Sequence, residues 1–191
     1  MGAKIRHLVL CALGIIAFVT SAAAQAPAAS APGDSVIVVE KPTYVTLNLE
    51  TTVNRPAAEV WKRVGKWCDV SEWLQIAAGC KITSGKDGEV GAVRTVGSEV
   101  IVARTEFSYT YAQTPRVGRP YNLYHGTLEV RPVTPTTSKI LYTLLFDNSM
   151  LADEAAREKD KAGRTATFNR ALANMKTLAE GGMLAPPPSA R

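Results

Sequence analysis

The strongest constraint on the fold is a run of short β segments between Cys80 and Asp147. The segments are CKITSG, AVRTVG, EVIVAR, EFSYTYAQ, YNLYHGTLEVRPV and SKILYTLLFD. Clusters rich in Gly, Pro, Asn, Asp and Ser, which favour turns, separate them. Because no stretch of helical period lies between the segments, an antiparallel meander is favoured over βαβ units.

One strand and two short helices are predicted before the meander. The stretch TYVTLNLETTV, residues 43–53, alternates in polarity as a half-buried strand does. Pro56 suits the first turn of a helix, and Asn54 is its predicted cap. Apolar side chains then recur at helical spacing, at Val60, Trp61, Val64 and Trp67. A second short helix is predicted over 70–77.

A long helix is predicted after the meander, over residues 152–180. Asp153 and Glu154 lie in its first turn, and two glycines follow its end. Its second half carries an apolar stripe of Phe168, Leu172, Met175 and Leu178. The first half is largely polar and contains Gly163, so we expect it to be looser or bent.

The N-terminus has the pattern of a secretory signal peptide. Lys4 and Arg6 precede an apolar run of about a dozen residues, and small residues follow at Ala22 and Ala24. Since this run is shorter than the ~20 apolar residues that a spanning helix needs, cleavage after Ala24 and export to a periplasm are expected, with an uncleaved membrane anchor as the alternative. Residues 25–42 are predicted to form a flexible lead, and 183–191 a disordered tail. The remaining residues, 43–182, are enough for one domain with its own core.

Net charge and cysteine content limit which partners, metals and cofactors are expected. The formal net charge of +5 falls to +3 without the signal peptide, and no basic block marks a nucleic-acid binder. No stable membrane insertion is expected after cleavage. In an oxidising compartment Cys68 and Cys80 most simply form a disulfide, although two free thiols remain an alternative. With one histidine left, His125, the ligands are too few for a zinc site, and no metal or cofactor is expected.

The order of these elements resembles the START-like superfamily, and within it bacterial proteins of the polyketide cyclase/dehydrase or SRPBCC type. The resemblance covers residues 43–182 and rests on the motifs VNRPAAEVWKRVGKW, DVSEWL, GAVRTV, FSYTYAQ, YHGTLEVRPV and FNRALANMKTLAEGG. It implies an α+β helix-grip fold, in which a curved antiparallel sheet wraps a long C-terminal helix and two short helices close one end. Relatives use the cavity between sheet and helix for lipids, hormones, polyketides and other apolar molecules.

Aromatic residues supply the candidate ligand contacts. In FSYTYAQ, Phe107, Tyr109 and Tyr111 share one face of a strand. Phenols around an apolar chamber suit a ligand with an apolar body and a few oxygens, or else they fill the core and bond one another. The three tryptophans are predicted to pack structurally, with Trp73 allowed as a cavity wall. Asn174 is added because relatives carry a polar residue at that place in the helix. The candidate contacts are Trp73, Phe107, Tyr109, Tyr111, Tyr124, Tyr142, Phe146, Phe168, Leu172, Asn174 and Met175.

Other polar residues are weaker candidates. His125 has the opposite strand parity from the tyrosines, so we expect it on the convex, solvated face. Asp147 is expected to start a turn or cap a helix. Arg94, Arg104 and Glu106 are assigned to a solvated sheet face, with the mouth of the cavity as the alternative. No motif of a known catalytic class is present.

These observations leave three hypotheses for the function. The first is an exported binding protein that holds a small apolar or amphipathic molecule without making bonds. The second is a cyclase or dehydratase that uses the same cavity. The third is an envelope protein without a ligand. The sequence does not settle the oligomeric state.

Overall fold

Seven strands and three helices form the part of the chain that the computed structural model describes, which is residues 39, 41–115, 121 and 123–186. The predicted signal peptide, most of the predicted lead and residues 187–191 lie outside the described residues. In chain order the elements are β1 (Tyr44–Val53), α1 (Ala57–Val64), α2 (Val70–Trp73), β2 (Ile82–Ser84), β3 (Val93–Arg94), β4 (Glu99–Thr105), β5 (Ser108–Gln113), β6 (Tyr124–Thr134), β7 (Thr137–Asp147) and α3 (Glu154–Ala179).

The strands form one antiparallel sheet in the order β1-β7-β6-β5-β4-β3-β2. The predicted meander is confirmed for β2 to β7, and β1 pairs with β7 from Tyr44↔Asp147 to Val53↔Ser138. The register shifts within the β4–β5 pair, between Ile101 and Ala103. Because such irregularities bend a strand and increase its twist, they help the sheet to curve.

Helix α3 packs against the concave face of the sheet. The predicted stripe is buried, with Phe168, Ala171, Leu172, Met175 and Leu178 facing inward. Asp153 caps the helix by accepting a hydrogen bond from the N–H of Ala156 at 2.8 Å. The polar first half lies at the surface, as its composition predicts. This arrangement confirms the helix-grip architecture.

The two short helices differ from the prediction in two details. Pro56, not Asn54, is the N-cap of α1, and no side chain caps the first turn, while the N–H of Asn54 donates to Oε1 of Glu180. Helix α2 ends at Trp73 rather than continuing to residue 77, since Gln75 adopts a φ of 54° that leaves the helical region. Helix α1 packs against α3, β6 and β7, and α2 packs against α3.

The start of the predicted tail lies against the domain. Leu184 packs on the core, and the carbonyl of Ala185 accepts a hydrogen bond from the Gln75 side chain at 2.6 Å. Leu184 makes this contact because it is apolar and an apolar surface lies within its reach. None of the helices in the described ranges is long and apolar enough to cross a membrane.

A disulfide joins Cys68, between α1 and α2, to Cys80, just before β2, with the two Cα atoms 5.3 Å apart. It ties the two short helices to the far edge of the sheet. The sequence allowed either a disulfide or two free thiols, and the structure contains the disulfide.

Reduction of this disulfide is expected to lower the free energy of unfolding by about 3 kcal/mol, because the open chain gains entropy in the unfolded state. Urea denaturation with and without reductant measures the difference. The control is Cys68→Ser/Cys80→Ser, whose midpoint should not respond to reductant. Two free thiols in the denatured, unreduced protein would contradict the prediction.

Candidate functional site

Four tyrosines point from the concave face of the sheet into the interior. Tyr109 and Tyr111 on β5, Tyr124 on β6 and Tyr142 on β7 are each between 1 and 4% exposed. Their strand neighbours of opposite parity are only half-buried or exposed. Strand alternation therefore sets the direction of each ring. Phe146, Leu172 and Met175 are also fully buried, whereas Phe107 is half-buried in the turn just before β5.

The buried rings contact one another. The hydroxyls of Tyr111 and Tyr142 share a hydrogen bond of 2.9 Å. Tyr142 lies against Phe168 of α3, with ring centroids 4.6 Å apart, and Trp73 meets Tyr142 edge-on at 6.0 Å. The ring of Tyr111 covers the backbone of Gly126, where a Cβ atom would come within 2.3 Å of it. The phenols thus form one aromatic layer between sheet and helix.

A buried ion pair adjoins this layer and corrects a prediction. Arg94, expected on a solvated face, is 1% exposed, and Glu99 is 4% exposed. The guanidinium donates from Nε to Oε2 of Glu99 at 2.7 Å and also donates to the carbonyl of Trp67. It lies 3.6 Å from the centroid of the Trp67 ring and 5.2 Å from that of Tyr111. Arg94 is buried because Glu99, across a tight turn, neutralises it and Trp67 stacks on it. Arg104 and Glu106 are exposed, as predicted.

The phenols are hydrogen-bond donors rather than bases. Burial raises the pKa of Tyr109 to about 12, an effect that the nearby Arg94 opposes only in part. Burial likewise raises the pKa of Tyr124 to about 12 and lifts those of Tyr111 and Tyr142 well above the ordinary value. All four hydroxyls therefore keep their protons at neutral pH. Burial also raises the pKa of Glu99, and Arg94 opposes that rise.

Three buried polar groups in this interior have no hydrogen-bond partner among the described residues. They are the hydroxyl of Tyr109 and the indole nitrogens of Trp67 and Trp73. The Tyr109 hydroxyl lies near Arg94 but does not meet it in hydrogen-bonding geometry. Leaving a buried donor unpaired costs about 1–3 kcal/mol, so these groups could gain from a polar atom of a ligand.

Three polar side chains cover the opposite end of the interior, and the sequence did not predict that they lie together. Tyr121 donates to Oδ1 of Asp160 at 2.5 Å, and Arg164 donates to Oδ2 of the same carboxylate at 3.1 Å. Arg164 also lies over Tyr121 at 4.2 Å and over Tyr124 and Phe146, each at 4.9 Å. The i, i+4 spacing of Asp160 and Arg164 was the available signal, but it does not reveal that Tyr121 joins them.

Three further residues have structural contacts. The side-chain amide of Asn174 donates to the carbonyl of Trp73 at 2.9 Å and so holds α2 on α3. Asp147 accepts from the N–H of Thr43 and of Ser149, which fits its expected role in a turn. His125 has the opposite parity from the buried tyrosines and is half-buried, so it lies on the convex side of the sheet.

Side chains fill the middle of the interior, where Tyr111, Tyr142, Phe146 and Met175 are buried. Four clefts on the described part of the chain are lined by other residues. A cleft of about 570 Å³ reaches Phe168 beside Asp160 and Arg164. A second, of about 280 Å³, reaches Trp67 and Tyr109 beside α1.

Solved structures share the fold at low sequence identity. A protein of Thermobifida fusca aligns at 22% identity with a TM-score of 0.59, covering 73% of this chain and 97% of that one. The Zhui aromatase/cyclase from Streptomyces aligns at 14% identity with a TM-score of 0.56, covering 74% and 100%. Truncated norcoclaurine synthase from Thalictrum flavum aligns at 15% identity with a TM-score of 0.56, covering 76% and 99%.

Sequence comparison gives the family. No curated protein matches the chain significantly. The profile of the family described as "Polyketide cyclase / dehydrase and lipid transport" matches residues 44–180, from β1 to the end of α3. This span includes every residue of the aromatic interior, and the fold agrees with it. The chain belongs to the polyketide cyclase / dehydrase and lipid transport family.

Proposed function

We propose that this chain is an exported protein that binds a small apolar or amphipathic molecule between the sheet and α3. The observation that carries the proposal is the set of four inward-facing tyrosines in a largely apolar interior, with the buried Arg94–Glu99 pair beside them. Apolar side chains would supply affinity at ~25 cal/mol per Å² of buried surface. Protonated phenols and unpaired indole N–H groups would orient the oxygen atoms of the ligand.

Access to the interior is expected at the end covered by Tyr121, Asp160 and Arg164. The α1–α2 end is held by the disulfide and by the buried pair of Arg94 and Glu99. At the other end the contacts are side-chain hydrogen bonds among half-buried residues, Tyr121 on a loop and Asp160 and Arg164 on the polar half of α3. Such contacts are worth about 1 kcal/mol each, so they break far more easily than a disulfide. A ligand would displace the Tyr111–Tyr142 hydrogen bond and take its place.

A cyclase or dehydratase is the second candidate, and one observation favours it. The guanidinium of Arg94 is buried among phenols, where it could stabilise an oxygen that becomes negative during reaction. The raised pKa values of the tyrosines argue against a phenolate base and leave them as acids. Conversion of a linear poly-β-keto compound by the wild type but not by Arg94→Lys would distinguish catalysis from binding.

The binding proposal is tested with 2-naphthol, which has a flat apolar body and one hydroxyl. We expect saturable binding that weakens about fivefold in Tyr111→Phe/Tyr142→Phe, since roughly one hydrogen bond is lost. Leu172→Trp should abolish binding in the interior, because the larger ring takes volume that the ligand would have to occupy between α3 and the sheet. Calorimetric titration measures the affinity, and circular dichroism checks that each variant is folded.

The matched control is Tyr44→Phe, since Tyr44 lies on β1 with 61% of its surface exposed. Its affinity for 2-naphthol should equal that of the wild type. Absence of binding to the wild type, or equal binding by a folded Leu172→Trp variant, would contradict the proposal.

A further inference from the structure

A separate cleft lies beside α1, outside the aromatic interior. It is bordered by α1 and the following turn, by the segment of Asp87 and Gly88, and by the β4–β5 hairpin. Trp67 and Tyr109 form its inner wall, with their rings in edge-on contact at 5.1 Å. The volume of about 280 Å³ suits a molecule of one or two rings rather than a long chain.

One side of the cleft is a flat aromatic surface. Trp61 is only half-buried, and its ring lies over Gly65, where a Cβ atom would come within 2.4 Å of the indole. The same ring is tilted against Tyr109 at a centroid distance of 5.7 Å. Gly65 is therefore needed for this ring position. The half-buried indole therefore contributes ring surface to the cleft.

The rim of the cleft is positively charged. Lys62, Lys66 and Arg104 line it, against the single carboxylate of Asp87. In the described ranges neither lysine forms a salt bridge, and Arg104 donates to the carbonyl of Gly88 at 2.6 Å. Two ammonium groups are thus available to an anion.

The inner wall carries two buried polar groups without partners. The Tyr109 hydroxyl and the Trp67 indole nitrogen have no hydrogen-bond partner in the described structure, and both residues are at least 97% buried. The rings of both residues line the same cleft as the lysines, whereas these two polar atoms have no accessible surface in it. An aromatic wall and a cationic rim together fit one kind of ligand.

We propose that this cleft is a second binding site, which takes a small flat aromatic anion such as an aromatic carboxylate. The ring would lie against Trp61, and the carboxylate would lie between Lys62 and Lys66. The Trp67–Tyr109 contact separates this site from the interior. The inference does not depend on binding in the interior.

The test compares 2-naphthoate with neutral 2-naphthamide, which has the same rings. Lys62→Gln/Lys66→Gln should weaken naphthoate binding about fivefold or more and leave naphthamide binding within about twofold, because only the anion loses its partners. Trp61→Ala should weaken both ligands. Lys81→Gln, an exposed lysine outside this cleft, is the matched control and should change neither affinity.

The Leu172→Trp variant distinguishes the two sites. If the cleft is a site, this variant keeps naphthoate binding, whatever the fate of the interior proposal. Naphthoate binding that survives Lys62→Gln/Lys66→Gln unchanged, or that disappears in folded Leu172→Trp, would overturn the cleft proposal. So would a wild type that does not bind naphthoate.

Discussion

Replacement of Glu99 by alanine is expected to lower the free energy of unfolding by about 3–5 kcal/mol, because it leaves a buried guanidinium without its counter-ion. Arg94 is 1% exposed and cannot reach water without leaving the Trp67 ring on which it stacks. Gln113, which donates to Oε1 of Glu99 at 3.1 Å, also loses its acceptor. Urea denaturation followed by circular dichroism gives the difference.

The control for this prediction is Glu50→Ala. Glu50 pairs with Lys139 across β1 and β7, but the two side chains are 53% and 38% exposed. Loss of an exposed pair costs at most about 1 kcal/mol. Equal destabilisation of the two variants would mean that Arg94 is solvated. The burial of the Arg94–Glu99 ion pair would then be wrong.

Replacement of Trp73 by alanine is expected to cost about 3–5 kcal/mol, since it removes a large side chain from a closed core. Trp73 has no exposed surface, and its ring meets Tyr142 within the aromatic layer. Its backbone carbonyl holds α2 to α3 through Asn174, so the helix cannot move freely to fill the space. Thermal and urea denaturation both report the loss.

Trp61→Ala is the matched comparison for Trp73→Ala, because the Trp61 indole is half-buried and faces a cleft. We expect less than half the destabilisation of Trp73→Ala. Equal losses would mean that the Trp73 ring is not in the closed core. The three tryptophans near one another in sequence thus have different surroundings, which sequence spacing does not show.

The architecture was largely predictable because it depends on local periodicity. Alternation in FSYTYAQ and SKILYTLLF fixed which rings face inward, and the stripe from Phe168 to Leu178 fixed the buried face of α3. The burial of Arg94 was not predictable, since β3 has only two residues and gives no parity signal. Its burial depends on Glu99 and Trp67, which are brought to it by the turn and by the α1–α2 segment.

The sequence predicts that the tyrosine side chains of the candidate site point inward, but it does not predict how they pack against one another. Parity shows that Tyr111 and Tyr142 point into the same interior, yet the Tyr111–Tyr142 hydrogen bond that closes it depends on the curvature of the sheet and on ring rotamers. The same limit applies to Tyr121, which lies outside a strand and reaches Asp160 only through the tertiary fold.

Native mass spectrometry of the protein purified from the envelope of the cells that produce it tests the proposed binding most directly. We expect a chain that begins at residue 25 and carries a small apolar or amphipathic molecule, which is released on denaturation. A bare chain that also fails to take up 2-naphthol would contradict the claim that the tyrosine-lined interior is a binding site.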